Sequence, residues 1–339
     1  MRQLTYAGSD ELQWREAPEP RLDSDAGALV RPVAVATCDL DAAIIAGASP
    51  FQPPFALGHE CVAEVLEVGD GVTTLAAGQL VSVPFQISCG ECAPCRAGRT
   101  SNCASVEFMS TYGFGPAVGR WGGFLSDVVL VPYAEHMLAP LPAGVEPASL
   151  ASASDNIGDA WRAVGPALAE HPGAPVLVIG GNGPGSIGLY AAGIAVALGA
   201  ESVVYLDRDE HRRELAARLG AQTLAQAPGR LGPFPITVDA GGDPELLALA
   251  LHATAPDGVC TSVAIYFGAQ PTLPLLSMYT KGITFRTGRA NAQPALAPVL
   301  ELSASGAFHP EIVTTRTVGW EDAAEALVER DWTKLVIER

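Results

Sequence analysis

The stretch from Pro175 to Asp207 restricts what this chain can fold into more than any other. Val176-Leu177-Val178-Ile179-Gly180 is a short apolar run rich in β-branched residues, the pattern of a strand buried on both faces of a parallel sheet. A loop that is mostly glycine follows, from Gly180 to Gly188. Ile187, Tyr190, Ala191, Ile194 and Leu198 then recur at helical spacing. Ser202 to Leu206 is a second apolar run, and Asp207 closes it. Strand, glycine loop, helix, strand and terminal acid together make the unit that binds dinucleotides.

Each part has a physical task. Glycines turn sharply and let the backbone approach a pyrophosphate, while the helix N-terminus offers free N–H groups and the positive end of its dipole. The spacing Gly183-x-Gly185-x-x-Gly188 fits the fingerprint, and Gly181, Ser186 and Ile187 complete the expected phosphate cradle. The loop is about two residues longer than the usual fingerprint, which leaves open which glycine meets which phosphate. Asp207 is the expected acceptor for an adenosine ribose, the alternative being a helix cap. Arg208 beside it would suit a 2′-phosphate, so NAD is expected, with NADP possible.

At 339 residues the chain is long enough for two domains. It has no apolar run of about 18 residues, so no membrane span is expected. The opening residues lack a charged-then-apolar signal, which suggests a cytoplasmic protein. A net charge of −17 would repel a phosphate backbone, so nucleic acid is excluded as an expected partner. Seven cysteines without an export signal point to metal or thiol chemistry and not to disulfides.

The first 150 residues read as short strands separated by Gly and Pro, among them Leu29 to Val35, Val62 to Val68 and Val81 to Phe85. That pattern suggests a small, partly open β-barrel. A helix from about Ala151 to Ala169 leads into the dinucleotide unit. Beyond it, strands at 235–239, 258–265 and 283–287 alternate with helices at 208–219 and 244–254, the pattern of a doubly wound parallel sheet. Helices near 295–305 and 321–330 and a strand at 334–337 close the chain.

Two groups of residues suggest metals. Cys89, Cys92, Cys95 and Cys103 have the spacing C-x2-C-x2-C-x7-C, and four thiolates from one short loop can enclose a tetrahedral Zn²⁺ with no open position, a structural site. Cys38 and His59 could be two ligands of an open, catalytic Zn²⁺. Alone, the pair is a weak signal: a lone cysteine is usually a small core residue, and a lone histidine is often just hydrogen-bonded in place.

Several motifs then converge on one family. They are Cys38 with Asp41, Gly58-His59-Glu60 followed by Val65-Leu66-Glu67-Val68-Gly69, the four-cysteine lobe, Ser154-Asp155-Asn156, the glycine loop, and Thr287-Gly288-Arg289-Ala290-Asn291. Over essentially its full length the chain resembles the zinc-containing medium-chain alcohol and polyol dehydrogenases. The resemblance implies a GroES-like barrel at residues 1–155, a Rossmann domain at 156–288 and a return segment at 289–339 completing the barrel. It implies two Zn²⁺ per chain. Cys38 and His59 look like catalytic ligands, Asp155 like the third, and Glu60 like the adjacent carboxylate that can approach the metal. Asp155 also has the reading of a helix cap. The expected activity is hydride transfer between a nicotinamide cofactor and a small-molecule alcohol or carbonyl. A homodimer or homotetramer is expected, with Leu273 to Thr287 as a pairing edge.

The chain departs from the family where Cys-Gly-(Ser/Thr)-Asp is usual and Cys38-Asp39-Leu40-Asp41 stands. Leu40 cannot carry a proton, so Thr37, Asp39 or water would have to replace the relay hydroxyl. That keeps two rivals in view: a relative reducing an imine or activated C=C bond, and a non-catalytic nicotinamide-binding protein. Asp159 and Arg162 form either a local ion pair or a substrate-facing pair, and Arg289 and Asn291 could reach the cofactor or an interface. Phe51, Phe55, Tyr112 and Trp121 are the candidate substrate wall, against plain packing.

Overall fold

A computed structural model describes residues 1–268 and 270–339. The chain divides into two compact units, one of Met1–Gly158, Asn291–Ala304 and Thr314–Arg339, the other of Asp159–Ala290 and Ser305–Val313.

The first unit is built on a seven-stranded sheet. Its backbone runs Arg316–Gly319, Leu335–Glu338, Ala28–Ala36, Glu60–Val68, Leu80–Val83 and Ala139–Pro140, with Val129–Val131 paired to Ala28–Ala36 off this path. Ala28–Ala36 pairs antiparallel with Glu60–Val68, placing Ala36 opposite Glu60. Pro32 has no N–H to give this ladder, and the register shifts between Pro32 and Ala34. Val30, Val62, Val65, Val81 and Val83 are buried on this sheet. A three-stranded sheet of Glu11–Glu16, Arg2–Gly8 and Phe55–Ala56 completes the GroES-like fold.

The second unit holds a six-stranded, wholly parallel sheet in the order Gln222–Leu224, Val203–Leu206, Val176–Ile179, Phe234–Asp239, Thr254–Ser262, Thr284–Thr287. Counted by appearance within the unit, that is 3-2-1-4-5-6, the doubly wound Rossmann order, whose switch point lies beside Val176–Ile179. All four residues of that central strand are buried, as its unbroken apolar run requires. Leu177, Ile179, Leu206, Leu247, Leu251 and Cys260 form one packed cluster.

Three features differ from the expectation. The bridging helix begins as a 3-10 turn, Pro147–Ser154, is interrupted at Asp155, and resumes as Asn156–Glu170. Asp155 has φ −149° and ψ −83°, outside helical geometry. The unit boundaries fall at 158/159 and 290/291, against the expected 155/156 and 288/289, and residues 305–313 group with the second unit instead of the barrel. Phe308 explains this return: its ring meets Tyr190 edge-on at 6.4 Å, and a Cβ at Gly193 would come within 3.0 Å of it. The run Leu273 to Thr287 contains a short helix, Leu275–Lys281, ended by Gly282 at φ +68°, before its strand. Among the described residues, no helix is long and apolar enough to cross a membrane.

Candidate functional site

Cys38, His59, Glu60 and Asp155 come together in the first unit, with one potential ligand atom from each lying within 4.8 Å of all the others. Cys38 follows the strand Ala28–Ala36 and stands at the N-terminus of the helix Asp39–Ile45. His59 and Glu60 enter the neighbouring strand after Gly58, where φ is +94° and a Cβ would come within 2.8 Å of the Leu125 nitrogen, so only glycine fits. Asp155 is held at the helix interruption, where the Ser154 hydroxyl accepts a hydrogen bond from the Cys61 N–H at 3.0 Å and pins the turn to this strand. Its carboxylate faces His59 and the Asn156 side chain, so the reading as a mere helix cap does not describe the geometry.

His59 is fully buried, and among the described residues neither ring nitrogen has a hydrogen-bond partner. Nδ1 lies 3.6 Å from Asp41 Oδ1, and Nε2 lies 3.5 Å from Asp155 Oδ2. Asp41 is itself fixed by accepting the Cys38 N–H at 2.8 Å. Asn156 Nδ2 donates to both Cys38 Sγ at 3.1 Å and Asp155 Oδ2 at 3.0 Å. Burial, then Asp155, Glu60 and Asp41, push the Cys38 thiol well above its usual range. Burial raises Glu60 to about 8, against the opposing pull of Lys334. Burial alone would lower His59, but Asp41 and Asp155 outweigh it and bring it to about 9. The cluster is therefore a buried excess of anionic donors around two unsatisfied imidazole nitrogens. A divalent cation held by Nε2 would offset that excess and leave the Nδ1–H to face Asp41, so the donor set fits zinc.

Cys89, Cys92, Cys95 and Cys103 form the second group, again within 4.8 Å. None is in a disulfide, and Cys92 Sγ and Cys103 Sγ are 3.8 Å apart. Four thiolates about 2.3 Å from one zinc have tetrahedral edges of about 3.8 Å, the same spacing. The N–H groups of Ala104 and Cys95 point at Cys92 sulfur and bring its pKa down to about 6, favouring the ligating thiolate. Asn291 belongs to this lobe. Its Oδ1 accepts from Thr100 Oγ1 and Ser101 N at 2.9 and 3.0 Å, and its Nδ2 donates to Gly98 O at 2.6 Å, so its side chain is bound within the lobe.

In the second unit, Gly181, Gly183, Gly185, Ser186, Ile187 and Gly188 form the turn into the helix Ser186–Ala197. Gly185 is the left-handed N-cap at φ +78°. Gly188 lies inside the helix, where a Cβ would sit 3.2 Å from the Ala240 Cβ, so its role is close helix–strand packing. A cavity of about 800 Å³ beside the turn is lined by Gly180, Gly181, Asp207, Arg208 and Arg212 among others. Asp207 is not open to a ligand here. Its oxygens accept from Tyr205 OH, Asp209 N, Arg212 Nε and Arg212 Nη2 at 2.8–2.9 Å, four donors for the roughly four lone-pair sites of a carboxylate. Arg212 also donates to Gly181 O and Gly183 O, tying the acid to the glycine loop.

Other expectations are redistributed. Phe51 stacks on Phe114 at 5.1 Å, and Phe114 and Phe85 lie 4.3 and 5.9 Å from the His59 ring. Phe55 packs on Tyr6, and the fully buried Tyr112 packs on Phe124 and donates to Leu130 O, so both are core residues and not substrate wall. Arg162 pairs locally with Asp159 at 2.6 Å and donates to Gly288 O. The Thr37 hydroxyl is engaged with Leu335: it accepts from Leu335 N at 3.0 Å and faces Leu335 O at 3.4 Å. Sequence reasoning missed Phe85, Phe114, Arg212 and Lys334. The only signal for Lys334 was rarity, since the chain has two lysines.

Two family models match the chain: the alcohol dehydrogenase GroES-like domain over residues 24–143 and the zinc-binding dehydrogenase over 186–305. The L-galactonate-5-dehydrogenase of Escherichia coli is 30% identical over 336 residues, covering 95% of this chain and 92% of its own. The chain belongs to the zinc-containing medium-chain dehydrogenase family. A probable zinc-binding alcohol dehydrogenase of Mycobacterium tuberculosis is 29% identical over 333 residues, 96% of this chain and 84% of that one. The solved structure of the alcohol dehydrogenase TADH from Thermus sp. ATN1 matches with a TM-score of 0.89 at 30% identity, covering 100% of this chain and 99% of its own. Members of this family are oxidoreductases acting on alcohols.

Proposed function

We propose that the chain transfers hydride between NAD(H) and an alcohol or carbonyl compound, with one zinc at Cys38, His59 and Asp155 and a second at Cys89, Cys92, Cys95 and Cys103. The observation that carries this reading is the convergence of Cys38, His59 and Asp155 around an imidazole whose two nitrogens lack partners. Bound there, zinc polarises the substrate oxygen and lowers the pKa of an alcohol toward neutrality. Asp41 orients the His59 ring from behind, and Asn156 steadies Cys38 and Asp155 together. Phe85 and Phe114 keep water from the imidazole. The proton exchanged with the substrate does not pass through Leu40 or Thr37.

Asp207 favours NAD, because its carboxylate would repel a 2′-phosphate, and Arg212 must yield some of its bonds before ribose hydroxyls reach it. Two copies of the chain pair through the edge strand Thr284–Thr287, beside which Leu275, Leu276 and Tyr279 are exposed.

The test counts zinc in protein purified without chelator and assays a panel of alcohols and ketones with both cofactors. Two zincs per chain, and one zinc with more than about 100-fold loss of turnover in Cys38→Ser, are expected. Full activity in Cys38→Ser would overturn the assignment.

A further inference from the structure

Lys334 is 0% exposed, and nothing in the activity proposed above uses it. Its ammonium donates to the Thr37 carbonyl, to Asn156 Oδ1 at 2.7 Å and to the Glu60 carboxylate, with Oε2 at 3.1 Å and Oε1 at 3.4 Å. Its backbone is equally fixed: Leu335, the next residue, exchanges hydrogen bonds with Thr37 through both main chain and side chain. A lysine out of water is costly unless paired, so this placement needs a partner, and the partner is Glu60.

Glu60 is the one donor of the cluster that decides what kind of metal site it is. Four protein ligands close a tetrahedral zinc, as in structural sites, while three leave a position for substrate. Cys38, His59, Glu60 and Asp155 are all near enough to one another to make four. Cys38 accepts the neutral amide of Asn156, and Asp155 accepts that amide and faces His59, itself a ligand in the zinc reading, whereas Glu60 is paired with a charge that belongs to no ligand. Resting on the zinc reading of the preceding subsection, we propose that Lys334 is a positioning residue that retains Glu60 outside the coordination shell and so keeps the fourth position open. The rival is a purely structural ion pair, whose loss would weaken the fold without closing the site.

The test uses the full chain loaded with Co²⁺ and titrated with imidazole, a ligand that needs an open metal position and reports through the visible spectrum. Lys334→Met should raise the imidazole Kd by about tenfold or more and slow metal loss to a chelator, because the freed carboxylate becomes the fourth ligand. Lys334→Arg, which keeps the charge, should stay within about threefold of the parent. The double variant Lys334→Met with Glu60→Gln removes both the restraint and the carboxylate, and should return the Kd to that of Glu60→Gln alone. Should Lys334→Met not fold, Lys334→Gln, which keeps a polar side chain but removes the charge, is read in the same way. A Lys334→Met protein that binds imidazole like the parent would overturn the proposal while leaving the zinc reading intact. So would a tenfold difference that persists in the Glu60→Gln background. A parent protein giving no imidazole-sensitive cobalt spectrum would overturn both.

Discussion

At the scale of single residues, the charges in this molecule are placed where backbone needs them. Glu135 is one example outside both clusters of candidate ligands. Its carboxylate accepts from Thr73 and Thr74, through N–H groups at the turn and through both hydroxyls, with Thr74 N at 2.9 Å and Thr73 Oγ1 at 3.1 Å. These bonds hold its pKa down at about 2, below the ordinary glutamate value. A carboxyl whose folded pKa is depressed binds its proton more readily in the unfolded chain. Its contribution is therefore fully present above about pH 4.5 and is lost as pH falls toward about 2. Glu135→Gln is expected to flatten the fall of the thermal midpoint across that window while leaving its shape above pH 5 unchanged, which a series of melts in zinc-saturated buffer would measure. An unchanged acid limb would mean that the solvent-exposed carboxylate gains nothing from its four donors. The same residue scale explains what escaped the sequence. Lys334 meets Glu60 across 274 positions, and Arg212 reaches back 31 and 29 positions to Gly181 and Gly183. No local pattern announces either contact, because each depends on strands already paired.

At the scale of elements, legibility follows contact range. The four-cysteine lobe spans fifteen residues, so spacing alone is enough to expect the four sulfurs together, and they lie within 4.8 Å of one another. The strand Val176–Ile179 and its glycine turn are equally local, and their apolar run and left-handed glycines fix the Rossmann turn. The aromatic pair beside His59 was not readable. Phe85 and Phe114 lie outside any periodic element, and which of Phe51, Phe55, Tyr112 and Phe114 faces the histidine is decided by how the loops fold back. The lobe itself has little apolar core of its own, and its short helix Ala93–Arg96 is a single turn. Its order should therefore depend on metal. Cys95→Ser is expected to remove one zinc per chain and lower the thermal midpoint by more than about 5 °C, while Cys38→Ser removes the other zinc with a smaller shift. Metal analysis beside calorimetry would check this, and equal shifts for the two variants would contradict it.

At the scale of the whole molecule, the six-stranded sheet ends in Thr284–Thr287, a strand with one side unpaired within the chain, at the end of a run of exposed apolar residues. Antiparallel pairing of this strand with its copy about a two-fold axis would join two sheets into one of twelve strands. The expected mass in solution is twice the 35.0 kDa of one chain. Phe285→Pro with Leu276→Asp should return it to that of a single chain in light scattering, and a double variant that stays dimeric would place the interface elsewhere. A different consequence follows from the nine residues around Phe308. Because the chain leaves the dinucleotide-binding unit at Ala290 and comes back for Ser305–Val313, that unit is not a continuous sentence that can be cut out of the text. A recombinant fragment of residues 159–290 would lack the ring that fills the space above Gly193 and beside Tyr190, and would carry an open apolar notch on the helix Ser186–Ala197. A fragment rejoined so that 305–313 follows 290 through a short linker would have that notch closed, so the severable piece of this protein is defined by packing and not by order along the chain.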